Sequence, residues 1–234
     1  MLFEDLRPKI TNLKYTHDGA VEEIYNLVRE KGFSSILELG TAFGKTTAAI
    51  AAALQENGGG FVETVDLHVV EERFHKNSCK TVINDLGLAE FTIINHENHS
   101  YNWYLKKQIE TQLKAGKIEP KYDFVFLDGA HNFTIDGLAF HLCDRLLKPG
   151  GVILFDDLKY NIFDLNEAQG TSNEFTLDSF DPRARVVRTP MGEDELKACH
   201  VGLIYELMVK THPGYGDFKY SNNQNWGYAT KLGS

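Results

Sequence analysis

Three carboxylates and one imidazole are spaced in this chain so that they could carry chemistry together. Asp128 and His131 lie in D-F-V-F-L-D-G-A-H-N-F, residues 123–133, and Asp156 and Asp157 close L-K-P-G-G-V-I-L-F-D-D, residues 147–157. Each run contains an apolar stretch that ends on an acid, as a buried strand does when it delivers a carboxylate to its C-terminal edge. In an open parallel sheet that edge holds the ligand, so Asp128, Asp156 and Asp157 are expected to converge there. Like charges gathered at one point call for a cation, and oxygen ligands without cysteine favour Mg²⁺, Mn²⁺ or Ca²⁺ over Zn²⁺. Successive strand residues face opposite sides, so Asp156 and Asp157 share one ion only if the chain has turned at Asp157. His131 is the candidate base, since an imidazole ordinarily titrates near neutrality. The competing reading makes Asp128 and Asp157 capping residues and His131 a packing residue.

A second constellation is I-L-E-L-G-T-A-F-G-K-T-T, residues 36–47, where an apolar run breaks into glycines and then into an alanine-rich helical pattern. Gly40 and Gly44 let the backbone turn and approach a ligand, and the free N–H groups of the following helix offer hydrogen bonds. A phosphate-binding P-loop needs four residues before its Gly-Lys-Ser/Thr, and only Thr41, Ala42 and Phe43 stand there. A dinucleotide fingerprint needs glycine near Ala42. What remains is E-x-G-x-x-x-G, opened by Glu38, with Asp66 ending the next apolar run, F-V-E-T-V-D. A carboxylate there can accept both hydroxyls of a ribose, which points to a nucleoside. Glu38 would lie buried beside the turn, Thr41 within it, and His96 or Glu97 near the base. His96-Glu97-Asn98-His99 shows no third ligand for zinc and reads as loop.

This pattern resembles the first two motifs of the class I S-adenosylmethionine-dependent methyltransferases. The 123–133 and 147–157 runs resemble more narrowly the bacterial family that includes metal-dependent sugar O-methyltransferases, and more distantly catechol O-methyltransferase. The resemblance covers about residues 15 to 160. It implies S-adenosylmethionine held by Glu38, Gly40, Thr41, Gly44, Asp66, His96 and Asp128. It also implies Mg²⁺ on Asp128, Asp156 and Asp157, and His131 as general base. The lysine that catechol methyltransferases carry after the fourth strand has no counterpart between Asp128 and Lys148. The expected reaction is O-methylation of a small molecule. Hydroxylases that resemble methyltransferases, and a non-catalytic nucleoside-binding protein on the same fold, are the alternatives.

The whole chain has 234 residues and a formal net charge of −9, with its basic residues scattered. That balance disfavours nucleic acid or an anionic membrane as partner and leaves a small-molecule acceptor, with a homo-oligomer allowed. Cys79, Cys143 and Cys199 form no C-x-x-C pair, so a reducing, cytoplasmic setting is expected. No stretch approaches the ~18 consecutive apolar residues of a spanning helix.

The elements that must position these groups alternate. A lead-in helix over 18–31, capped by Asp18, ends domain-like residues 1–34. A methyltransferase domain over 35–210 follows. Its strands are expected at 35–39, 61–66, 91–95, 122–127 and 152–155, and its helices at 44–55, 69–86, 101–115 and 133–147. The alternation predicts an α/β, doubly wound, mainly parallel seven-stranded sheet. Two closing strands are expected at 186–188 and 199–207. Residues 159–183 read as a variable loop or lid, in which Tyr160 and Phe163 could line the acceptor pocket, and 211–234 as a tail.

Overall fold

A computed structural model describes residues 1–73, 78–164, 191–221 and 223–233. Five parallel strands form the first part of the sheet: β1 (Ser35–Leu39), β2 (Phe61–Leu67), β3 (Thr92–Glu97), β4 (Tyr122–Leu127) and β5 (Leu147–Phe155). An antiparallel hairpin, β6 (Tyr215–Tyr220) and β7 (Gly227–Lys231), completes seven strands in the order β3-β2-β1-β4-β5-β7-β6. The chain reverses direction in that order between β1 and β4, which places a crevice at their C-terminal ends. The expected mainly parallel, doubly wound sheet is therefore present.

Alternation along the strands sends side chains into two cores, one on each face of the sheet. Ile36, Phe124, Phe126 and Leu154 pack beneath α1 (Phe3–Ile10), α2 (Asp18–Lys31) and α3 (Lys45–Glu56). Leu37, Val125, Ile153 and Phe155 pack beneath α6 (Tyr101–Lys114) and α7 (Phe133–Leu146), while α4 (His68–Arg73) follows β2 and α5 (Cys79–Asp85) adds Cys79 and Ile83 to the first core beside α3. The alanines of α3 combine high helical propensity with small volume, so its backbone lies close to both α2 and the sheet.

Several expectations need correction. The α2 cap is His17, whose Nδ1 accepts from the Ala20 N–H at 3.1 Å, and Asp18 lies in the first turn. Residues 199–207 are not a strand: α8 (Glu193–Lys197) is followed by α9 (His200–Ile204) and a π-turn, Tyr205–Val209. Their apolar residues, Val201, Ile204, Tyr205 and Val209, recur at helical spacing and all are buried. The residues read as a tail supply β6 and β7, whose short alternation was masked by their polar and glycine content. Residues 165–183 of the expected lid, the 186–188 strand and the centre of the 69–86 helix lie outside the described residues. Among the described residues no helix is long and apolar enough to cross a membrane.

Candidate active site

The glycine loop between β1 and α3 sits against the end of β4. Gly40 has φ +98, and a Cβ there would come within 1.8 Å of the Asp128 carbonyl oxygen, so only glycine lets the two strand ends approach. Gly44, at φ +76, closes the turn as the residue before α3, which has no side-chain cap. The amides of its first turn therefore have no capping side chain and could serve a carboxylate or other acceptor.

Asp66 stands where β2 ends and organises that loop. Its Oδ2 accepts from the N–H groups of Thr41 and Ala42, both at 2.8 Å, and its Oδ1 from Leu67 at 2.7 Å. These bonds fix Ala42 in the left-handed region, φ 44. A carboxylate has about four acceptor positions, so a ribose gripped by both oxygens must take the place of a loop amide. His96 lies opposite Asp66 in the β2–β3 register, and its ring stacks on His68 at 5.4 Å. Glu97 is bound to Lys107 at 2.6 and 2.8 Å and is not presented to the crevice.

Glu38 points to the α3 side and is 1 % exposed. Its Oε2 accepts from the Thr47 hydroxyl at 2.5 Å, while Oε1 is buried without a partner. Burial drives its carboxyl up to about 8, against the pull of Thr47 and Thr64 and with help from the charges of Asp128 and Asp66. The Thr41 hydroxyl meets that of Thr64 at 2.5 Å and carries the same network to the loop.

The acidic edge is assembled differently from expectation. Asp128, His131 and Asp157 converge, with ligand atoms within 4.8 Å of one another. His131 Nε2 lies 3.3 Å from Asp128 Oδ1 and 3.4 Å from Asp157 Oδ2. Asp157 turns there because its φ is 58, in the left-handed region. Asp156 does not join them. Its Oδ1 accepts from the Trp226 indole at 2.6 Å and from the Asp157 N–H at 2.6 Å, on the opposite face of the sheet. Burial, followed by the charges of Asp128 and Asp157, pushes its carboxyl up to about 8. Asp156, expected among the metal ligands, is thus held away from Asp128 and His131 by its bonds to Trp226 and the Asp157 N–H, although the chain has turned at Asp157.

The offset to the Asp128 and Asp157 charges is His131. Burial works against its charged form, but the hydrogen bond to Asp128 and the charges of Asp128, Asp157 and Asp136 outweigh it and raise the imidazole to about 9. At neutral pH the group is an imidazolium bridging two carboxylates.

Supports for this edge come from residues that pattern and spacing had not marked for it. Tyr101 donates to buried Asp136, whose other oxygen accepts from Asn132 N–H at 2.8 Å, and the Ala130 N–H donates to the Tyr101 hydroxyl at 3.1 Å. Asn132 caps α7. A Cβ on Gly129 would strike the Tyr101 ring at 2.4 Å, which explains the glycine after Asp128. On the other side Asn225 donates to Asp157 Oδ1 at 2.9 Å, so the loop between β6 and β7 holds both members of the acidic pair. A D-G-x-x-N run followed by a helix start is the only signal of the first support; the second is non-local. Tyr160 lies beside the edge, its ring 5.0 Å from His131.

A glycine loop at the β1 end, an acid at the β2 end and a polar edge beyond β4 and β5 define, with this sheet order, a class I S-adenosylmethionine-dependent methyltransferase. The chain belongs to the methyltransferase-domain family, whose profile matches residues 37–158, just over half its length. Among solved structures it is similar to the O-methyltransferase TomG from Streptomyces achromogenes, involved in tomaymycin synthesis and determined with S-adenosylmethionine. That match has 18 % identity, covers 98 % of this chain and 90 % of that one, and has a TM-score of 0.59. The O-methyltransferase from Bacillus cereus, in complex with S-adenosylhomocysteine, matches at 19 % identity, 99 % and 90 % coverage and a TM-score of 0.57. The S-adenosylhomocysteine-bound methyltransferase PaMTH1 from Podospora anserina matches at 13 %, with 99 % and 87 % coverage and a TM-score of 0.62. At these identities the likeness concerns the fold. No curated protein sequence matches the chain significantly.

Proposed function

We propose that this enzyme transfers the methyl group of S-adenosylmethionine to an oxygen of a small-molecule acceptor bound beside Asp128, His131 and Asp157. The observation that carries the reading is the contact of Gly40 with the Asp128 carbonyl, which sets the cofactor loop directly against that acidic edge. Methyl transfer is an in-line displacement at a sulfonium, so the protein has mainly to align donor and acceptor and to free the acceptor oxygen of its proton. Asp66 and the loop amides would hold the nucleoside, the open α3 N-terminus would face the methionyl carboxylate, and His131 would take the proton.

Calorimetry tests the cofactor part. S-adenosylmethionine and S-adenosylhomocysteine are expected to bind, and Asp66→Ala to weaken binding by about 1–3 kcal/mol through loss of charge-assisted bonds. The same affinity in a folded Asp66→Ala protein would remove Asp66 from the site.

A divalent cation fits the donor set of this edge in part. Asp128 and Asp157 offer hard oxygens, but the third donor is an imidazole, which suits Mn²⁺ or Fe²⁺ better than Mg²⁺. When bound, such an ion would acidify an acceptor hydroxyl. His131 already balances the two charges, so the electrostatics alone do not demand an ion. The expected result is that Mn²⁺ accelerates transfer in the wild type and has no effect in Asp157→Ala, while cofactor affinity is unchanged. Full activity after EDTA treatment and gel filtration would dispose of the cation and leave His131 acting alone.

A further inference from the structure

We propose that residues 11–17, between α1 and α2, are a strap that retains the cofactor, with Lys45 as the positioning residue that fastens it and Tyr15 as the side chain laid over the glycine loop. The inference rests on the reading of Gly40 to Gly44 as the cofactor loop.

Lys45 is the first residue of α3, directly after Gly44, where a positive charge opposes the helix dipole. It is nevertheless 4 % exposed. All three ammonium donors are used: Leu13 O at 3.2 Å, Thr16 O at 2.7 Å and Asp18 Oδ1 at 2.8 Å. Every one of these acceptors belongs to the strap or to the residue that ends it. Asp18 also accepts from the Thr11 hydroxyl at 2.5 Å and faces Arg7 at 3.8 Å. The hydrogen bond from Lys45, then that from Thr11, hold its carboxyl below the usual range. Both ends of the strap are thus tied to the residue that follows the cofactor loop.

The middle of the strap touches the loop itself. The Tyr15 ring stacks on Phe43, centroids 5.5 Å apart and planes 18° from parallel, and the hydroxyls of Thr16 and Thr46 lie 3.5 Å apart. Tyr15 has φ 81, a costly conformation for an aromatic residue, yet its side chain is 73 % exposed and gains little from burial. Such strain persists only where surrounding bonds over-determine it, and here Lys45 supplies them. A ligand held against Gly40 to Gly44 is held more firmly the less that loop moves. Phe43 is part of that loop, and the stacked strap resists its movement.

The test is the dissociation rate of S-adenosylhomocysteine from the full-length protein, measured by stopped flow beside urea unfolding. Tyr15→Gly removes the ring and relieves the backbone, so stability should hold or rise while dissociation becomes about tenfold faster, in the rate constant that usually carries affinity differences. Lys45→Met is expected to speed dissociation similarly and to expose residues 11–17 to protease. If Lys45→Met fails to fold, Tyr15→Gly decides alone. An unchanged dissociation rate in Tyr15→Gly, whatever its stability, overturns the strap. Failure of the wild type to bind S-adenosylhomocysteine overturns instead the reading of the loop on which the strap depends.

Discussion

His131→Ala is expected to lower the rate of methyl transfer by about 10²–10⁴-fold, the usual contribution of a positioned general base, with cofactor affinity nearly unchanged. The size of the effect depends on which form the imidazole takes. Its two carboxylate neighbours raise it to about 9, so at neutral pH most molecules carry an imidazolium that cannot accept a proton. The base form appears as pH rises through about 9, and the transfer rate of the protein without added cation should climb over that interval. Mn²⁺ held by Asp128, Asp157 and His131 would occupy the imidazole, so the inflection belongs to the cation-free protein and should disappear when the ion is added. His131→Ala should abolish the inflection of the cation-free protein. A wild-type profile flat from about pH 7 to 9.5 would sink His131 as base, because the group that titrates there would have no part in the reaction.

The cofactor side of the site was more legible in the sequence than the acceptor side. Gly40, Asp66 and Asp128 could be placed because each stands at a strand end, and Gly44 because an alanine-rich helical pattern starts just after it. A parallel strand buried on both faces announces itself as an unbroken apolar run. The same periodicity gave β1 to β5 and the helices between them. It misread 199–207, where a five-residue helix and a π-turn carry the apolar residues at helical spacing over a segment too short to separate from a strand. It missed β6 and β7 because an edge hairpin with one solvated face contains few apolar residues.

Asp156 and Asp157 show where local reading stops. The alternation rule said that they face opposite sides unless the strand has turned, and at Asp157 it has, into a left-handed conformation that aspartate tolerates but does not dictate. What then selects Asp157 for the edge and Asp156 for the interior is Asn225 and Trp226, about seventy positions downstream. Contacts of that separation leave no trace in a single sequence. The Tyr101–Asp136 bond beneath the Gly129 turn is of the same kind, and Tyr101 by its spacing alone reads as ordinary helix packing.

Glu38→Gln is expected to flatten the dependence of stability on pH by several kcal/mol between about pH 4.5 and 8. Glu38 has no solvent, its Oε1 has no partner, and Asp66 and Asp128 lie close enough to oppose its ionisation. Its carboxyl titrates at about 8 in the folded chain against 4.5 as its ordinary value. The folded state therefore holds a proton that the unfolded state has released, and folding takes one up. The contribution is fully present below pH 4.5 and is lost as pH rises through about 8, with a slope approaching 1.4 kcal/mol per pH unit in between. Asp156, raised for the same reason, adds a slope of the same sign, so the difference between wild type and Glu38→Gln isolates Glu38. The variant loses some stability at low pH, about 1–3 kcal/mol, because its amide N–H groups inherit the unpartnered position of Oε1. Urea unfolding at several pH values should then show the two stability curves converging or crossing toward pH 8. Parallel curves would mean that Glu38 is ionised in the folded protein and that water or a bound ion reaches Oε1. The cationic cofactor provides a check from the other direction: a positive charge arriving beside Glu38 favours its ionised form, so binding near pH 7 should release a proton in the wild type that Glu38→Gln does not release.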